Sequence, residues 1–140
     1  MKLIVATPTA VVIERSDVQS VRAEDESGSF GILSGHTDFL TVLTVSVLRW
    51  REGDGKECYC ALRHGVFTVS DGMEVTVATR EAIVSEDLDH LEDVVLARFR
   101  ETEQAENDAR VANAKMHMAA IRRIIQYLRP GRTPQLGASS

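Results

Sequence analysis

The chain has 140 residues, 44% of them hydrophobic and 26% charged, with a formal net charge of −5. That is enough for one domain, or a small domain with an appendage, and too little for two large ones. The balance is that of a folded globular protein rather than a disordered or fibrous one, and the acidic excess argues against nucleic acid as a partner, because phosphate-backbone binders present surplus Lys and Arg.

The chain opens with Lys2-Leu3-Ile4-Val5-Ala6, is interrupted at Pro8-Thr9, and resumes as Val11-Val12-Ile13 running into Glu14, Arg15 and Asp17. This reads as strand, turn, strand rather than as a signal peptide, since no small-residue cleavage site follows the apolar stretch. No apolar run approaches the ~20 residues needed to span a bilayer, so direct membrane insertion is not expected. Turn signals then recur at Glu26-Ser27-Gly28, Ser34-Gly35, Gly53-Asp54-Gly55, His64-Gly65 and Asp71-Gly72, and short strands fill the spaces. Asp71-Gly72, between Val66-Phe67-Thr68-Val69-Ser70 and Met73-Glu74-Val75-Thr76-Val77, predicts a two-residue type I′ hairpin with Met73, Val75 and Val77 on one face. Cys58, Cys60 and Leu62 alternate with Glu57, Tyr59 and Arg63, the pattern of a sheet wet on one side. Cys58 and Cys60 are too close for an ordinary disulfide and too few for a zinc site. Many short strands with close turns imply a sandwich or barrel.

Near Val84 the period changes. Ser85 reads as an N-cap, Glu86 and Asp87 suit a first helical turn, and Leu88, Leu91, Val95 and Phe99 form a helical stripe. A second stripe, Met118, Ile121, Ile125 and Leu128 with Ile124 beside it, follows a polar interval from Glu101 to Asp108. A turn at Asn107-Asp108 would make a helical hairpin that hides both stripes against each other; one continuous helix is the rival, because Ala, Glu and Arg there are good helix formers. Pro130-Gly131 ends the helical region. The expected organisation is a β-domain over 1–84, a two-helix domain over 85–129 and a disordered tail over 130–140, with Ile83-Val84-Ser85 as the hinge.

No constellation of catalytic groups emerges. Gly28, Gly31 and Gly35 are spaced like a phosphate-cradling loop, but no Gly-Lys-Ser/Thr follows and the segment leads into Phe39-Leu40-Thr41-Val42 rather than a helix. Ser34, His36 and Asp38 are the residue types of a hydrolase triad, yet side chains projecting in parallel from one extended segment do not place an imidazole between nucleophile and carboxylate. His64, His90 and His117 lack a second ligand at metal spacing. Neither enzyme, metal nor cofactor is expected. Arg122, Arg123, Arg129 and Arg132 gather against an otherwise acidic background, which suits either a helix C-terminus or an acidic partner surface.

The segment Glu26-Ser27-Gly28-Ser29-Phe30-Gly31-Ile32-Leu33-Ser34-Gly35-His36-Thr37-Asp38-Phe39-Leu40-Thr41 resembles the signature of the epsilon subunit of F-type ATP synthases. Gly65 to Val69, Val75 to Val77, and Glu81-Ala82-Ile83 before Asp87-Leu88-Asp89 agree in order, so that the likeness covers residues 1 to 128. The resemblance implies a flattened sandwich of about ten short antiparallel strands followed by a C-terminal α-helical hairpin, in a noncatalytic central-stalk subunit. Its partners would be the gamma subunit and the membrane rotor ring, at the cytoplasmic face of the bacterial inner membrane. Ser29, Phe30, Ser34 and His36 take the ring- and gamma-contact roles, and Arg122, Arg123 and Arg129 the contacts with the alpha and beta subunits through which many members suppress ATP hydrolysis. Ser34 and Thr37-Asp38 stand where many members have Pro and Ala-Pro, and Asp108-Ala109-Arg110-Val111-Ala112 does not reproduce the ATP-binding sequence of some bacterial members. Lys2-Leu3-Ile4-Val5, Thr7-Pro8-Thr9 and Arg22-Ala23-Glu24-Asp25-Glu26 look most like the alternate, sodium-linked subgroup. A free-standing β-sandwich regulatory module that binds a small ligand or protein is the alternative reading.

Overall fold

Alternating apolar positions set the strands, and the structure, a computed structural model describing residues 1–128, forms ten of them. They are β1 (Lys2–Ala6), β2 (Val11–Arg15), β3 (Val18–Asp25), β4 (Gly28–Leu33), β5 (Phe39–Leu43), β6 (Ser46–Glu52), β7 (Glu57–Leu62), β8 (Gly65–Ser70), β9 (Glu74–Thr79) and β10 (Ala82–Ser85). They join in the order β10-β7-β6-β3-β5-β8-β9-β1-β2, with β4 on β3 alone. All pairings are antiparallel except β1 with β9, which run parallel from Lys2↔Glu74 to Ala6↔Ala78. The expectation of a wholly antiparallel sheet is corrected at that pair.

The sheet folds over one core, to which β1 through β9 all contribute: Leu3, Ile13, Val21, Ile32, Leu43, Trp50, Cys60, Phe67 and Val75 are each at most 2% exposed. Burial pushes the Cys60 thiol up to about 12, so at neutral pH it is a protonated core group; Cys58 is half-buried. Asp71 at φ 57° and Gly72 at φ 67° make the expected I′ turn, but Ser70 pairs with Glu74, so the strands are joined by three residues rather than the expected two. Met73, expected to face inward with Val75 and Val77, is instead 66% exposed: its N–H closes the turn on the Ser70 carbonyl and leaves it outside the strand.

The second departure concerns the face of β7 expected to be wet. Ala61 is fully buried and Tyr59 half-buried, in a second apolar cluster with Leu91, Val95, Leu96 and Phe99, flanked by Val45, Val47 and Ile83. The helical segment that supplies those four residues begins with α1 (Leu88–His90), passes through a π-helical turn (Leu91–Val95) and continues as α2 (Leu96–Leu128). Leu91 and Leu96 are five residues apart, about 140° round a regular α-helix. The wider turn, closed by Leu96 N–H on the Leu91 carbonyl, brings them to one side. The N-cap is Asp87, whose side chain accepts from the His90 N–H. Ser85, expected in that role, ends β10 and accepts from the Asp87 N–H.

The expected helical hairpin is not formed. α2 runs unbroken through Asn107-Asp108, because no Gly or Pro interrupts 96–128 and two poor helix formers do not outweigh the Ala, Glu, Arg and Lys around them. Ile83-Val84-Ser85, expected to be a hinge, is paired strand: Val84 lies opposite Cys60 and Ser85 opposite Tyr59. The first compact unit runs from Met1 to Thr102 and the second begins at Glu103. In the second unit the described residues expose Met118, Ile124, Ile125 and Leu128. The expected helix end at Pro130-Gly131 and the tail over 130–140 lie outside the described residues, as do Arg129 and Arg132.

Phe99 is the largest buried side chain in the outer cluster and is 1% exposed, whereas Ile124 is 58% exposed. Phe99→Ala should cost about 3–5 kcal/mol of unfolding free energy and Ile124→Ala no more than about 0.5 kcal/mol, both measurable by urea titration of the full chain.

Candidate functional site

β4 is the strand from which a site can be built, because among the described residues only β3 pairs with it. Its side chains alternate: Phe30 and Ile32 face inward, while Ser29, Gly31 and Leu33 are exposed. The inward choice is fixed by aromatic packing. The Phe30 ring stands edge-on to Phe67 at 5.2 Å and to Phe39 at 5.6 Å, separations at which ring edges meet ring faces favourably.

The residues expected to make the ring contact are therefore distributed in a specific way. Ser29 and Ser34 are exposed and His36 is half-buried. Ser29 and Ser34 lie at opposite ends of β4, whose outer row of Ser29, Gly31 and Leu33 is about 14 Å long at ~3.4 Å per residue. Phe30 is directed into the sandwich. Leu33, 65% exposed, belongs to this row; its exposed parity could have been read from Phe30 and Ile32, the two large apolar residues that alternate with it.

At the β3–β4 end, Asp25 organises the turn. Its carboxylate accepts from the Ser27 hydroxyl at 2.5 Å, the Ser27 N–H at 2.9 Å and the Thr41 hydroxyl at 2.8 Å. Hydrogen bonds from the Ser27 and Thr41 side chains, in that order, hold its pKa below the ordinary carboxylate value. Ser29 also lines an open cleft of about 440 Å³ with Arg22, Glu24, Arg49, Glu92 and Arg100. Arg49 and Glu92 pair there at 4.0 Å, and the cleft holds charges of both signs without a nucleophile beside a base.

At the other end, the β4–β5 loop bends back on itself. His36 N–H reaches the Leu33 carbonyl at 3.2 Å, His36 Nδ1 lies 2.7 Å from the Thr37 carbonyl, and its ring stands 5.9 Å from Phe39. The Asp38 carboxylate accepts from the Asp71 N–H at 2.9 Å. The two groups are thus committed to different partners, and Ser34, His36 and Asp38 do not form a triad. Gly28 and Gly35 adopt φ of 122° and 88°, as turn glycines do, and no phosphate-binding loop results. Arg122 and Arg123 are exposed on α2. Among the described residues no cluster of three or more His, Cys, Asp or Glu could hold a metal ion, and no helix is long and apolar enough to cross a membrane.

The depressed Asp25 pKa has a definite sign. Its contribution to stability is complete above the unfolded value near 3.8 and disappears as pH falls through the lower folded value. Asp25→Asn should remove that component of acid sensitivity, so that the difference in thermal midpoint between wild type and variant narrows below about pH 4; a pH series of melts measures it.

Residues 1–85 match the family described as ATP synthase, Delta/Epsilon chain, beta-sandwich domain. ATP synthase epsilon chain 2 of Paraburkholderia xenovorans is 44% identical over 133 residues, covering 94% of this chain and 95% of the relative. Epsilon chain 2 of Cereibacter sphaeroides is 43% identical, with 91% and 88% coverage. Among solved structures, a chain of the Euglena gracilis mitochondrial ATP synthase superposes with a TM-score of 0.58 at 22% identity, covering 78% of this chain. This chain spans 62% of the Euglena one, and at that identity the likeness bears on the fold alone. The sandwich, the Gly-Ile-Leu-Ser-Gly-His segment that ends β4, and relatives of matching length agree: the chain belongs to the family of epsilon subunits of F-type ATP synthases.

Proposed function

We propose that this epsilon subunit is a noncatalytic part of the central-stalk rotor, meeting the membrane ring and gamma through its sandwich and coupling ring rotation to ATP synthesis. The observation that carries the contact assignment is the exposed outer row of β4, Ser29, Gly31 and Leu33, continuing into Ser34 and His36 on a strand with a single hydrogen-bonded neighbour. A strand of that kind offers both side chains and unpaired backbone groups to a partner. The subunit is peripheral to the membrane, held there as part of the complex, on the cytoplasmic face of the bacterial inner membrane. Supporting the alternate, sodium-linked subgroup are the Lys2 to Thr9 and Arg22 to Glu26 sequences, together with two relatives that are each named as epsilon chain 2 of their organism.

The helical region after Thr102 is the regulatory part. Arg122 and Arg123, exposed on α2, and Arg129 are cations suited to bidentate pairing with carboxylates of the alpha and beta subunits. That contact restrains ATP hydrolysis when it forms.

The structure dictates how to test it. Removing everything after Ser85 would strip Leu91, Val95, Leu96 and Phe99 from Ala61 and its neighbours, whereas removing 103–140 leaves the first compact unit whole. In the assembled complex the 103–140 deletion should keep stoichiometric copurification with gamma, alpha and beta and raise ATP hydrolysis about fivefold or more, the range of an ordinary allosteric coupling. Unchanged hydrolysis would sink the regulatory assignment, and loss of copurification with the sandwich intact would sink the assignment of rotor contact to the sandwich.

A further inference from the structure

Gly72 lies at the tip of the β8–β9 turn, where solvent exposure is the rule, and yet it is buried. What covers it is the β4–β5 loop. Gly35 donates its N–H to the Gly72 carbonyl at 2.7 Å, and a Cβ built on Gly72 would stand 2.9 Å from the Gly35 Cα and 3.2 Å from its carbonyl carbon. Real Cβ atoms do not approach backbone so closely, so two backbones meet here in a contact that only glycine at 72 permits. Three residues on from Gly35, the Asp38 carboxylate takes the N–H of Asp71, the neighbour of Gly72, at 2.9 Å. Between these two fastenings sits His36, its ring against Phe39 and, through Phe39 and Phe30, in line with the core ring of Phe67.

We propose that the β8–β9 turn is a positioning clamp for the ring-facing loop: Gly72 and Asp71 fasten residues 35–38 from a neighbouring hairpin and so fix where His36 is presented. The proposal rests on the reading of that loop as part of the ring contact. Its physical logic is preorganisation. A loop of five residues between β4 and β5 would otherwise sample many conformers, and ordering it upon contact would cost about 1–2 kcal/mol per residue of backbone entropy. Two hydrogen bonds and one close backbone contact do that ordering in the free subunit. Asp71 and Gly72 are also the residue types that accept positive φ, so the hairpin and the clamp make compatible demands on the same two positions.

Two variants separate the clamp from the hairpin. Gly72→Asn keeps a residue that tolerates the I′ turn but places a Cβ against Gly35; Asp38→Ala deletes the acceptor for the Asp71 N–H, and Asp38→Asn retains an acceptor oxygen at that site. In NMR spectra of the full chain, the displacement of the His36 ring protons by the Phe39 ring, taken as the difference from Phe39→Leu, should fall by half or more in Gly72→Asn and Asp38→Ala. It should be restored in Asp38→Asn, with the Val69 and Val75 methyl signals of the β8–β9 core unmoved. Met73→Ser, which alters an exposed side chain of the same turn, should change none of these signals. In the assembled complex, ions transported per ATP hydrolysed should fall several-fold in the two clamp variants and recover in Asp38→Asn. Unaltered His36 signals in both clamp variants would overturn the clamp. Displaced signals with wild-type transport per ATP would overturn the ring-facing reading of the loop while leaving the clamp in place. Should Gly72→Asn fail to fold, the Asp38 pair decides alone.

Discussion

Successive residues of a strand point to opposite faces, and in β7 Cys60 and Ala61 are both fully buried. This two-sided burial is the constraint on which the rest of the molecule depends. An antiparallel sheet can leave one face to water, but here β6, β7 and β10 carry Val47, Ala61 and Ile83 on the outer face, with Val45 just before β6 beside them, and something apolar must cover them. The base of the helix does so, and its irregular turn is the geometric solution: a regular helix would carry Leu96 away from the sheet that Leu91 touches. Ion pairs at the rim, Lys56 with Glu86 at 2.7 Å and Arg49 with Glu92 at 4.0 Å, are exposed and add little beside that burial. The helical residues up to Phe99 therefore belong to the sandwich, and a hinge at the end of β10 would have to expose the whole outer cluster.

The strands were legible because each carries its own alternation and its own turn residues; Asp71-Gly72 specified even the turn type. The helix base was half legible. Its stripe of Leu88, Leu91, Val95 and Phe99 was visible, but its target was not, since Ala61 and Tyr59 next to Glu57 and Arg63 read as a solvated face. Small and amphipathic residues do not announce what will lie over them. The false hairpin has a different origin. Asn107-Asp108 is a weak turn signal, and judging it as a break assumed that both apolar stripes must be buried within one chain; the described residues 111–128 leave most of theirs exposed, as an element shaped for a partner can.

The site shows the same division between local and non-local information. The segment from Ser27 to His36 carried the family resemblance; of its candidate contact residues Ser29 and Ser34 are exposed and His36 is half-buried. Phe30 follows the period of its strand: with Ile32 and Phe67 in the core, parity turns Phe30 inward, partly buried, and Leu33 outward. The closeness of Gly35 and Gly72 had no signature in the order of residues. It depends on β5 pairing with β8, which brings two turns 37 residues apart in sequence into register.

The parallel pairing of β1 with β9 has a consequence for how the molecule is made. Lys2 pairs with Glu74 and Ala6 with Ala78, so β1 has to wait for a strand made some seventy residues later. Hairpins such as β3–β4 and β6–β7 close over short loops and can form early, but joining β1 to β9 closes a loop of some seventy residues, and such non-local pairings are slow. Until then β1 and β2 form an isolated two-stranded ribbon, marginal by itself, with Leu3, Val5 and Ile13 uncovered. Closing the sandwich at β1 therefore depends on β9, and until β9 is made the apolar side chains of β1 and β2 lack that neighbour.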